Sequence, residues 1–201
     1  KVVFGNGIFA ASGITAIITS TDGVLWTVRN IPWPTLPNNM NLFYLNDKIV
    51  ANAVNNATVA YSDDGVSWQT ASSPFNSGSM VFNGGLYYKY SGSIVGISTN
   101  LANWTTQTTN GSAYRVINGY FYSNSQRSID GINFESLVFP GTTPTDINYG
   151  NGIYFGAVYN SSIYYTSTDG LNFTQSAIES NVYLGAEYYN GVYYLRCQHN
   201  V

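Results

Sequence analysis

The sequence predicts an all-β protein built from repeats of one four-stranded unit. The first observation is a seven-residue motif, here called the box, which occurs five times: STDGVLW from Ser20, SDDGVSW from Ser62, STNLANW from Ser98, SIDGINF from Ser128 and STDGLNF from Ser167. The serines that begin the boxes are 42, 36, 30 and 39 residues apart. Spacings of about 20 to 50 residues indicate an array of one repeated supersecondary unit.

The second observation is a turn dipeptide that recurs between the boxes. Asn-Gly between alternating residues is the strongest short-range signal for a β-hairpin, because a type I′ turn needs positive φ at both central positions. Dipeptides of this kind occur at Asn6-Gly7, Asn46-Asp47, Asn83-Gly84, Asn118-Gly119, Asn151-Gly152 and Asn190-Gly191. Together with the boxes, they predict at least two hairpins in each unit.

The third observation is that the residues between the boxes and the turn dipeptides alternate as they do in β-strands. Residues 41–70 contain four short strand-like segments, and no stretch of the chain has the apolar spacing of an amphipathic helix. A four-stranded unit of about 35 residues is typical of one β-propeller blade. The sixth dipeptide, Asn190-Gly191, is followed by only one strand-like segment. The sequence therefore predicts a β-propeller with five complete blades and a partial sixth, and a closed five-bladed ring is the alternative.

Length and composition favour a single domain over residues 1–201. No segment resembles a linker, and a chain of this length buries roughly 70 per cent of its unfolded surface. Aromatic residues are 16% of the chain and charged residues only 8%, so most of the rings are expected in the core between blades. Because the sequence begins at Lys1 with no methionine or signal-like segment, it is predicted to be a fragment or a processed part of a longer chain.

The box resembles the Asp box of the BNR, or sialidase-like, β-propeller repeat family, whose usual outline is Ser-x-Asp-x-Gly-x-Thr-Trp. The copies here lack the residue between Asp and Gly, and they are more similar to the shortened S-x-D-G-x-x-W repeats of bacterial and phage proteins. Through its period the resemblance covers nearly the whole chain. It implies a propeller in which the box is the turn between the third and the outermost strand of each blade.

The residue types of the box indicate a folding role rather than a ligand site. A short carboxylate can accept hydrogen bonds from the backbone of its own turn, and glycine supplies the unusual φ that the turn needs. In the third copy Asn100 and Leu101 replace Asp and Gly, while Trp104 is kept, which indicates a turn that tolerates change. The Trp or Phe that ends each box is expected to fold back between sheets. The box carboxylates are Asp22, Asp64, Asp130 and Asp169.

The resemblance to sialidases raises the question of catalysis. That family uses three arginines to bind a substrate carboxylate, a tyrosine nucleophile assisted by a glutamate, and an aspartic acid. Here the segment VRNIP at Val28 departs from the family's Arg-Ile-Pro signature at Asn30, and it follows the first box instead of preceding it. A glycosidase needs two carboxyl groups flanking the bond, and outside the box positions only Asp47, Asp63, Asp146, Glu135, Glu179 and Glu187 are available. We therefore expect no enzymatic activity and no catalytic residues.

Charge and composition exclude several classes of partner. The net charge is −3 with seven basic residues scattered along the chain, whereas nucleic-acid binding needs a clustered basic face. No apolar run approaches the roughly 20 residues of a membrane span. The single His199 and the single Cys197 do not provide the three or four ligands of a zinc site. We expect no nucleic acid, no membrane insertion, no metal and no cofactor.

Topology predicts where a ligand would bind. If the turn dipeptides and the boxes share one rim, then the connections between strands two and three and between blades lie on the other rim, and variable loops on a repetitive scaffold commonly carry function. Trp33, between two prolines, is the first candidate contact, although it would equally serve as a lid over the core of the first blade. The predicted ligand-binding residues are Arg29, Trp33, Asn39, Asn55, Phe75, Tyr159 and Asn160.

These observations predict a non-catalytic recognition module that binds a cell-surface glycan or another receptor. Polar uncharged loops with isolated aromatic rings suit sugars, which present hydroxyl groups and an apolar ring face. The low charge and the Tyr- and Asn-rich repeats resemble phage tail or fibre proteins, which implies an extracellular or virion-surface location. One alternative is a structural propeller that docks other virion or fibre chains, and a second is a divergent glycosidase.

Overall fold

The computed structural model describes residues 1–177 and 182–198. In that part of the chain every regular element is a β-strand, and no helix long and apolar enough to cross a membrane is found. The strands form five four-stranded sheets and one two-stranded sheet, and strands that are neighbours within a sheet are antiparallel. The prediction of an all-β fold built from four-stranded units is confirmed.

The first of two compact units is Lys1–Ser112. Sheet 1 contains β1 (Val2–Gly5), β2 (Ile8–Ser12), β3 (Ile17–Ser20) and β4 (Thr27–Arg29). Sheet 2 contains β5 (Met40–Leu45), β6 (Lys48–Ala53), β7 (Thr58–Ser62) and β8 (Gln69–Ser72). Sheet 3 contains β9 (Ser79–Asn83), β10 (Leu86–Ser91), β11 (Ile94–Ser98) and β12 (Thr105–Thr108).

The second compact unit is Ala113–Val201. Sheet 4 contains β13 (Arg115–Ile117), β14 (Tyr120–Tyr122), β15 (Gln126–Ser128) and β16 (Glu135–Ser136). Sheet 5 contains β17 (Asp146–Gly150), β18 (Ile153–Ala157), β19 (Ile163–Ser167) and β20 (Thr174–Ala177). Sheet 6 contains β21 (Val182–Tyr189) and β22 (Val192–Gln198). A single domain over residues 1–201 stays a prediction.

Strands follow one another in chain order within every sheet. The tight turns join the first and second strands, and the boxes join the third and fourth, so both lie at the same end of a sheet, here called the turn end. The remaining connections lie at the opposite, loop end. Asn6 and Gly7 have φ of 50° and 73°, as a type I′ turn requires. In sheet 3 the pair with positive φ is Gly84 and Gly85, one residue later than the predicted Asn83-Gly84.

The box is a hydrogen-bonded turn in all five copies. In the second copy the Ser62 hydroxyl donates to Asp64 Oδ1 at 3.0 Å and accepts from the backbone N–H of Gly65 at 2.9 Å. Asp64 Oδ1 also accepts from the backbone N–H groups of Ser67 at 2.7 Å and Val66 at 2.8 Å, and these bonds lower the pKa of Asp64 to about 2. The same three kinds of contact recur in the other boxes. The predicted folding role is supported by this geometry.

Leu101 gives the third box a different character. It occupies the glycine position with φ of 66°, a conformation that costs a side-chain-bearing residue about 1 to 2 kcal/mol. Its side chain is fully buried and packs with Val50, Val59 and Tyr87 of the core between sheets 2 and 3. Leu101 is therefore a core residue, and the turn of the third box keeps its hydrogen bonds with Asn100 and Leu101 in place of Asp and Gly.

Cores lie between consecutive sheets within each unit. Successive side chains of a strand point to opposite faces of its sheet, so each face packs on a different neighbouring sheet. In β6, Ile49 and Ala51 pack toward sheet 1 and Val50 packs toward sheet 3. In the second unit the corresponding core between sheets 4 and 5 contains Tyr122, Tyr154 and Tyr165. Burial of the tyrosines between sheets follows the prediction, because each sheet is covered on both faces where it has two neighbours.

The closing aromatic residue is buried in some boxes and not in others. Trp68, Phe134 and Phe173 are 6 to 8% exposed, whereas Trp26 is 37% exposed. The expectation that every such ring folds back between sheets is therefore wrong for Trp26. Its face of sheet 1 also leaves Val2 and Phe4 more than half exposed. We call this surface, made of Val2, Phe4, Phe9, Ile18 and Trp26, the open face of sheet 1.

Candidate functional site

Five of the seven predicted contact residues lie in connections at the loop end of the first unit. Arg29 ends β4, Trp33 and Asn39 lie between β4 and β5, Asn55 lies between β6 and β7, and Phe75 lies between β8 and β9. Tyr159 and Asn160 lie between β18 and β19 of the second unit. Two members of the first group, Arg29 and Trp33, meet in one cavity.

Arg29 and Trp33 line the same pocket, here called the Trp33 pocket. Its volume is about 310 Å³, and its walls come from the β2–β3 connection, the end of β4 and the loop that follows. A volume of this size is at the lower limit of the range for small-ligand sites. The lining residues are Thr15, Ala16, Val28, Arg29, Asn30, Ile31, Trp33 and Leu36.

The Arg29 guanidinium is held in place by a short chain of hydrogen bonds. Arg29 Nε donates to Thr19 Oγ1 at 2.6 Å, and the buried Thr19 hydroxyl donates in turn to the carbonyl of Gly65 at 3.2 Å. Arg29 thus arises from a strand and is oriented by the box of the next sheet. Among the described residues, it is the single charged residue in the lining of the Trp33 pocket, and no acidic side chain is found there.

The loop that carries Trp33 is fixed from both sides. Thr70 Oγ1 donates to the carbonyl of Pro32 at 3.2 Å, and Asn56 Nδ2 donates to the carbonyl of Thr35 at 3.1 Å. The half-buried Trp33 ring packs against the core between sheets 1 and 2. The ring is therefore both a lid over that core and part of the pocket wall, and its contact with a ligand stays a prediction.

Asn39 and Asn55 lie near this loop but are not part of the pocket lining. Asn55 Oδ1 accepts from the backbone N–H of Asn38 at 3.0 Å, and Asn39 Oδ1 accepts from that of Met40 at 2.8 Å. Both side chains are exposed. Their carbonyl oxygens are used by the loop, which leaves the two amide NH₂ groups as donors toward solvent or a ligand.

Phe75 lies outside the Trp33 pocket, next to the buried Lys89. Its carbonyl accepts from Lys89 Nζ at 2.5 Å, and Lys89 Nζ also donates to Asn52 Oδ1 at 2.7 Å and to the Ser73 hydroxyl. Lys89 has no exposed surface, and burial lowers its pKa to about 7. The structure thus does not bring Phe75 into the Trp33 pocket, and the lysine below it was not anticipated from the sequence.

Sequence reasoning missed Leu36 and Thr15 as pocket residues. Leu36 is 69% exposed and follows two prolines in an otherwise polar loop, which is a signal that could have been used. Thr15 comes from a different connection, and its proximity to Trp33 depends on the tertiary fold. In the second unit, Tyr159 is exposed and Asn160 has φ of 58°, so both are surface residues of a turn.

Two of the arginines pair with carboxylates of the second unit. Arg115 is ion-paired with Asp146, and Arg127 Nε donates to Glu135 Oε1 at 2.7 Å. Among the described residues no group of three or more His, Cys, Asp or Glu side chains could hold a metal ion. His199, Glu179 and the Cys197 side chain lie outside the described part of the chain.

Comparison with known proteins identifies the fold. No protein-family model and no curated protein sequence matches the chain. Virginiamycin B lyase from Staphylococcus aureus is similar with a TM-score of 0.63 and 11% identity over 89% of this chain and 69% of that one. A streptogramin B lyase structure has a TM-score of 0.62 and 13% identity over 89% and 68%, and the computationally designed Ika8 protein has 0.64 and 11% over 96% and 66%.

These structures are β-propeller-like, and at such identities the likeness shows the fold alone. The chain spans about two thirds of the length of each of them. The fold is therefore propeller-like, with consecutive four-stranded antiparallel sheets packed face to face inside each unit.

Proposed function

We propose that this chain is a non-catalytic recognition module that binds a glycan, or a glycan-bearing cell-surface receptor, at the loop end of its first unit. The observation that carries the proposal is the Trp33 pocket, in which an aromatic ring and an oriented guanidinium line one small cavity. Sugars combine an apolar ring face with hydroxyl groups, so they suit a site with one aromatic wall and a few fixed polar groups.

Hydrogen bonds that fix the pocket support a binding role. Arg29 and the Trp33 loop are positioned by Thr19, Thr70 and Asn56, so little ordering is needed when a ligand binds. The exposed amide groups of Asn39 and Asn55 extend the polar surface beside the pocket. The other three predicted ligand contacts lie outside the Trp33 pocket and stay predictions. They are Phe75 in the first unit and Tyr159 and Asn160 in the second.

We also infer that the repeats are Asp-box blades of a propeller with six positions, with a closed five-bladed ring as the alternative. The recurring serine–carboxylate turn and the five four-stranded sheets followed by a two-stranded one support this inference. The low charged fraction and the Tyr- and Asn-rich composition support a setting on a phage tail fibre or another extracellular surface. One weak site gains avidity when several copies are displayed together.

The test compares two tryptophans of the first unit. Trp33→Ala removes the pocket wall, whereas Trp26→Ala removes an exposed indole at the turn end of the same unit and serves as the matched control. Each variant is displayed as a multimer and measured on a glycan array and on whole cells. Loss of one stacked ring is expected to weaken a single site by about 1 to 3 kcal/mol, by analogy with ring stacking on bases.

Two outcomes would reject this placement of the site. One is undiminished binding by a folded Trp33→Ala protein, and the other is equal loss in Trp33→Ala and Trp26→Ala. Turnover of fluorogenic glycosides by the wild-type chain would instead support the divergent glycosidase.

A second candidate function is assembly, and the open face of sheet 1 favours it. At the equivalent positions of sheet 2, Leu42, which corresponds to Val2, is fully buried and Tyr44, which corresponds to Phe4, is half-buried, because sheet 1 covers them. On sheet 1 itself Val2 and Phe4 are 60% and 57% exposed. The occupant that fits this face is a sheet of the same repeat, and for assembly it is supplied by a second copy of the chain. Assembly would be supported if the molecular mass in solution rises with protein concentration and Phe4→Glu abolishes that rise. A wild-type protein that stays monomeric at all concentrations would reject it.

A further inference from the structure

One cavity within the second unit has none of the predicted contact residues in its lining. It is a groove of about 560 Å³ between β13 and β17, the first strands of sheets 4 and 5. Its polar lining residues are Tyr114, Arg115, Asn118, Asn148 and Tyr149, and the rest of the lining is aliphatic. The volume is well within the range of small-ligand sites. We call it the β13–β17 groove.

Charge in the groove is internally neutralised. Arg115 forms an ion pair with Asp146, and Asp146 Oδ2 accepts from Asn148 Nδ2 at 3.2 Å. Both charged side chains are about one third exposed. The groove therefore presents a guanidinium whose charge is already paired, together with amide groups, and this surface of hydrogen-bonding dipoles has no excess of either sign. Such a surface favours a neutral polyhydroxylated ligand over an ion.

The walls of the groove are fixed before any ligand binds. Asn118 Nδ2 donates to the Tyr154 hydroxyl at 3.1 Å, and the Tyr149 ring packs on that of Tyr154 with centroids 4.7 Å apart. The backbone N–H of Tyr114 donates to the carbonyl of Tyr122 at 2.8 Å. The Tyr114 side chain is 57% exposed, so it presents a ring face at the start of β13. An exposed ring beside fixed polar groups is the arrangement that stacks a sugar.

The same geometry argues against an extended peptide. Arg115 Nη1 donates to the carbonyl of Ile147 at 2.5 Å, on the edge of β17 that faces β13. An added strand would need that carbonyl as an acceptor. The edge is therefore occupied at the centre of the groove, and a compact ligand fits better than a paired strand.

We propose that the β13–β17 groove is a second binding site, for a neutral saccharide of one or two rings. The proposal is independent of the Trp33 pocket, because it uses other residues in the other compact unit. It would give one chain two sugar sites, and therefore a way to gain avidity within a single molecule.

The experiment titrates the complete chain with galactose, N-acetylglucosamine and maltose and follows the side-chain amide signals of Asn118 and Asn148 by NMR. Tyr114→Ala is expected to weaken binding about tenfold, which corresponds to loss of about 1.4 kcal/mol for one ring contact. Asp146→Asn, which breaks the ion pair, is expected to weaken it as well. Tyr194→Ala removes another exposed tyrosine of the second unit and is expected to leave the affinity unchanged.

Trp33→Ala separates this proposal from the proposed function. This variant should show the same sugar-dependent shifts of the Asn118 and Asn148 amide signals as the wild type, whether or not its binding to cells is reduced. If Asp146→Asn fails to fold, Asn148→Ala replaces it. Absence of amide shifts with all three sugars or equal affinity in Tyr114→Ala and wild type would each overturn the proposal. So would stronger binding of sialic acid, titrated in parallel as an anionic sugar, than of N-acetylglucosamine.

Discussion

Sheets 1 and 2 place the same turn in two different environments. In the first box Asp22 Oδ1 accepts from the backbone N–H groups of Val24 and Leu25, both at 2.8 Å, and Asp64 makes the equivalent bonds in the second. Each closing indole donates to the carbonyl of its own box glycine. Yet Trp26 is 37% exposed and Trp68 is 8% exposed.

The difference shows that the box forms locally, while its contribution to stability depends on a neighbour. The face of sheet 2 that carries Trp68 packs on sheet 1, where Ala10 and Ile17 are fully buried. The corresponding face of sheet 1 is the open face. In repeat proteins, stability is approximately a sum of terms for each repeat and for each interface between neighbours, so equal turns need not be equally stabilising.

The largest expected effect separates the two tryptophans. Trp68→Ala removes a core ring and is expected to lower the free energy of unfolding by about 3 to 5 kcal/mol. Trp26→Ala removes a ring that is partly in solvent, and its loss should be about 1 kcal/mol or less. Urea denaturation of the two variants measures the difference. Equal losses would show that the open face is covered in solution.

Leu101 extends the comparison to the third box. Leu101→Ala deletes buried carbon atoms and keeps the strained φ, with an expected loss of about 2 to 5 kcal/mol. Leu101→Gly removes Cβ as well, but it relieves about 1 to 2 kcal/mol of left-handed strain. The glycine variant is therefore expected to be the more stable of the two by thermal or urea denaturation. The opposite order would contradict the assigned backbone conformation.

Sheet 3 has a buried lysine, Lys89, at the position where sheets 1 and 2 have the alanines Ala11 and Ala51. Lys89→Met removes the donor to Asn52 Oδ1 and to the Ser73 hydroxyl, and one of the two donors to the Phe75 carbonyl. The expected loss is about 1 to 3 kcal/mol at neutral pH. The pKa of Lys89 is lowered from 10.5 to about 7. The unfolded chain thus binds more protons between these values, and wild-type stability should rise with pH across that window.

The measurement is the free energy of unfolding as a function of pH. Lys89→Met is expected to lose the rise above neutral pH, whereas Lys48→Met, at a lysine paired with the exposed Asp63, should keep it. A rise of the same size in Lys89→Met would show that another group causes it.

The smallest expected effect concerns the box carboxylate. The backbone N–H groups of Ser67 and Val66 lower the pKa of Asp64 from 3.8 to about 2, so its stabilising effect is present above about pH 4 and is lost as pH falls through about 2. Asp64→Asn should fold, because Asn100 already makes the same bonds in the third box. Its melting temperature should depend less on pH in that acid range, and an unchanged acid profile would exclude this role.

Sequence reasoning placed some of the candidate site and could not place the rest. Arg29 and Trp33 were predicted together because both belong to one proline-rich connection, and the structure brings them into one pocket. Phe75 was predicted for the same site, but its connection is held over Lys89 instead. The β13–β17 groove was missed entirely, because its walls come from strands about 30 residues apart and no local pattern marks them.

By itself, the sequence determined the strands, the turns and the boxes. Each of these depends on residues within a few positions of one another, as in the bonds from Ser62 to Asp64 and Gly65, so local chemistry is sufficient to specify them. Only the tertiary structure decided which equivalent residues are buried. Trp26 and Trp68 have the same local sequence signals, but burial is set by whether another sheet lies against them, and that contact joins residues far apart in the chain.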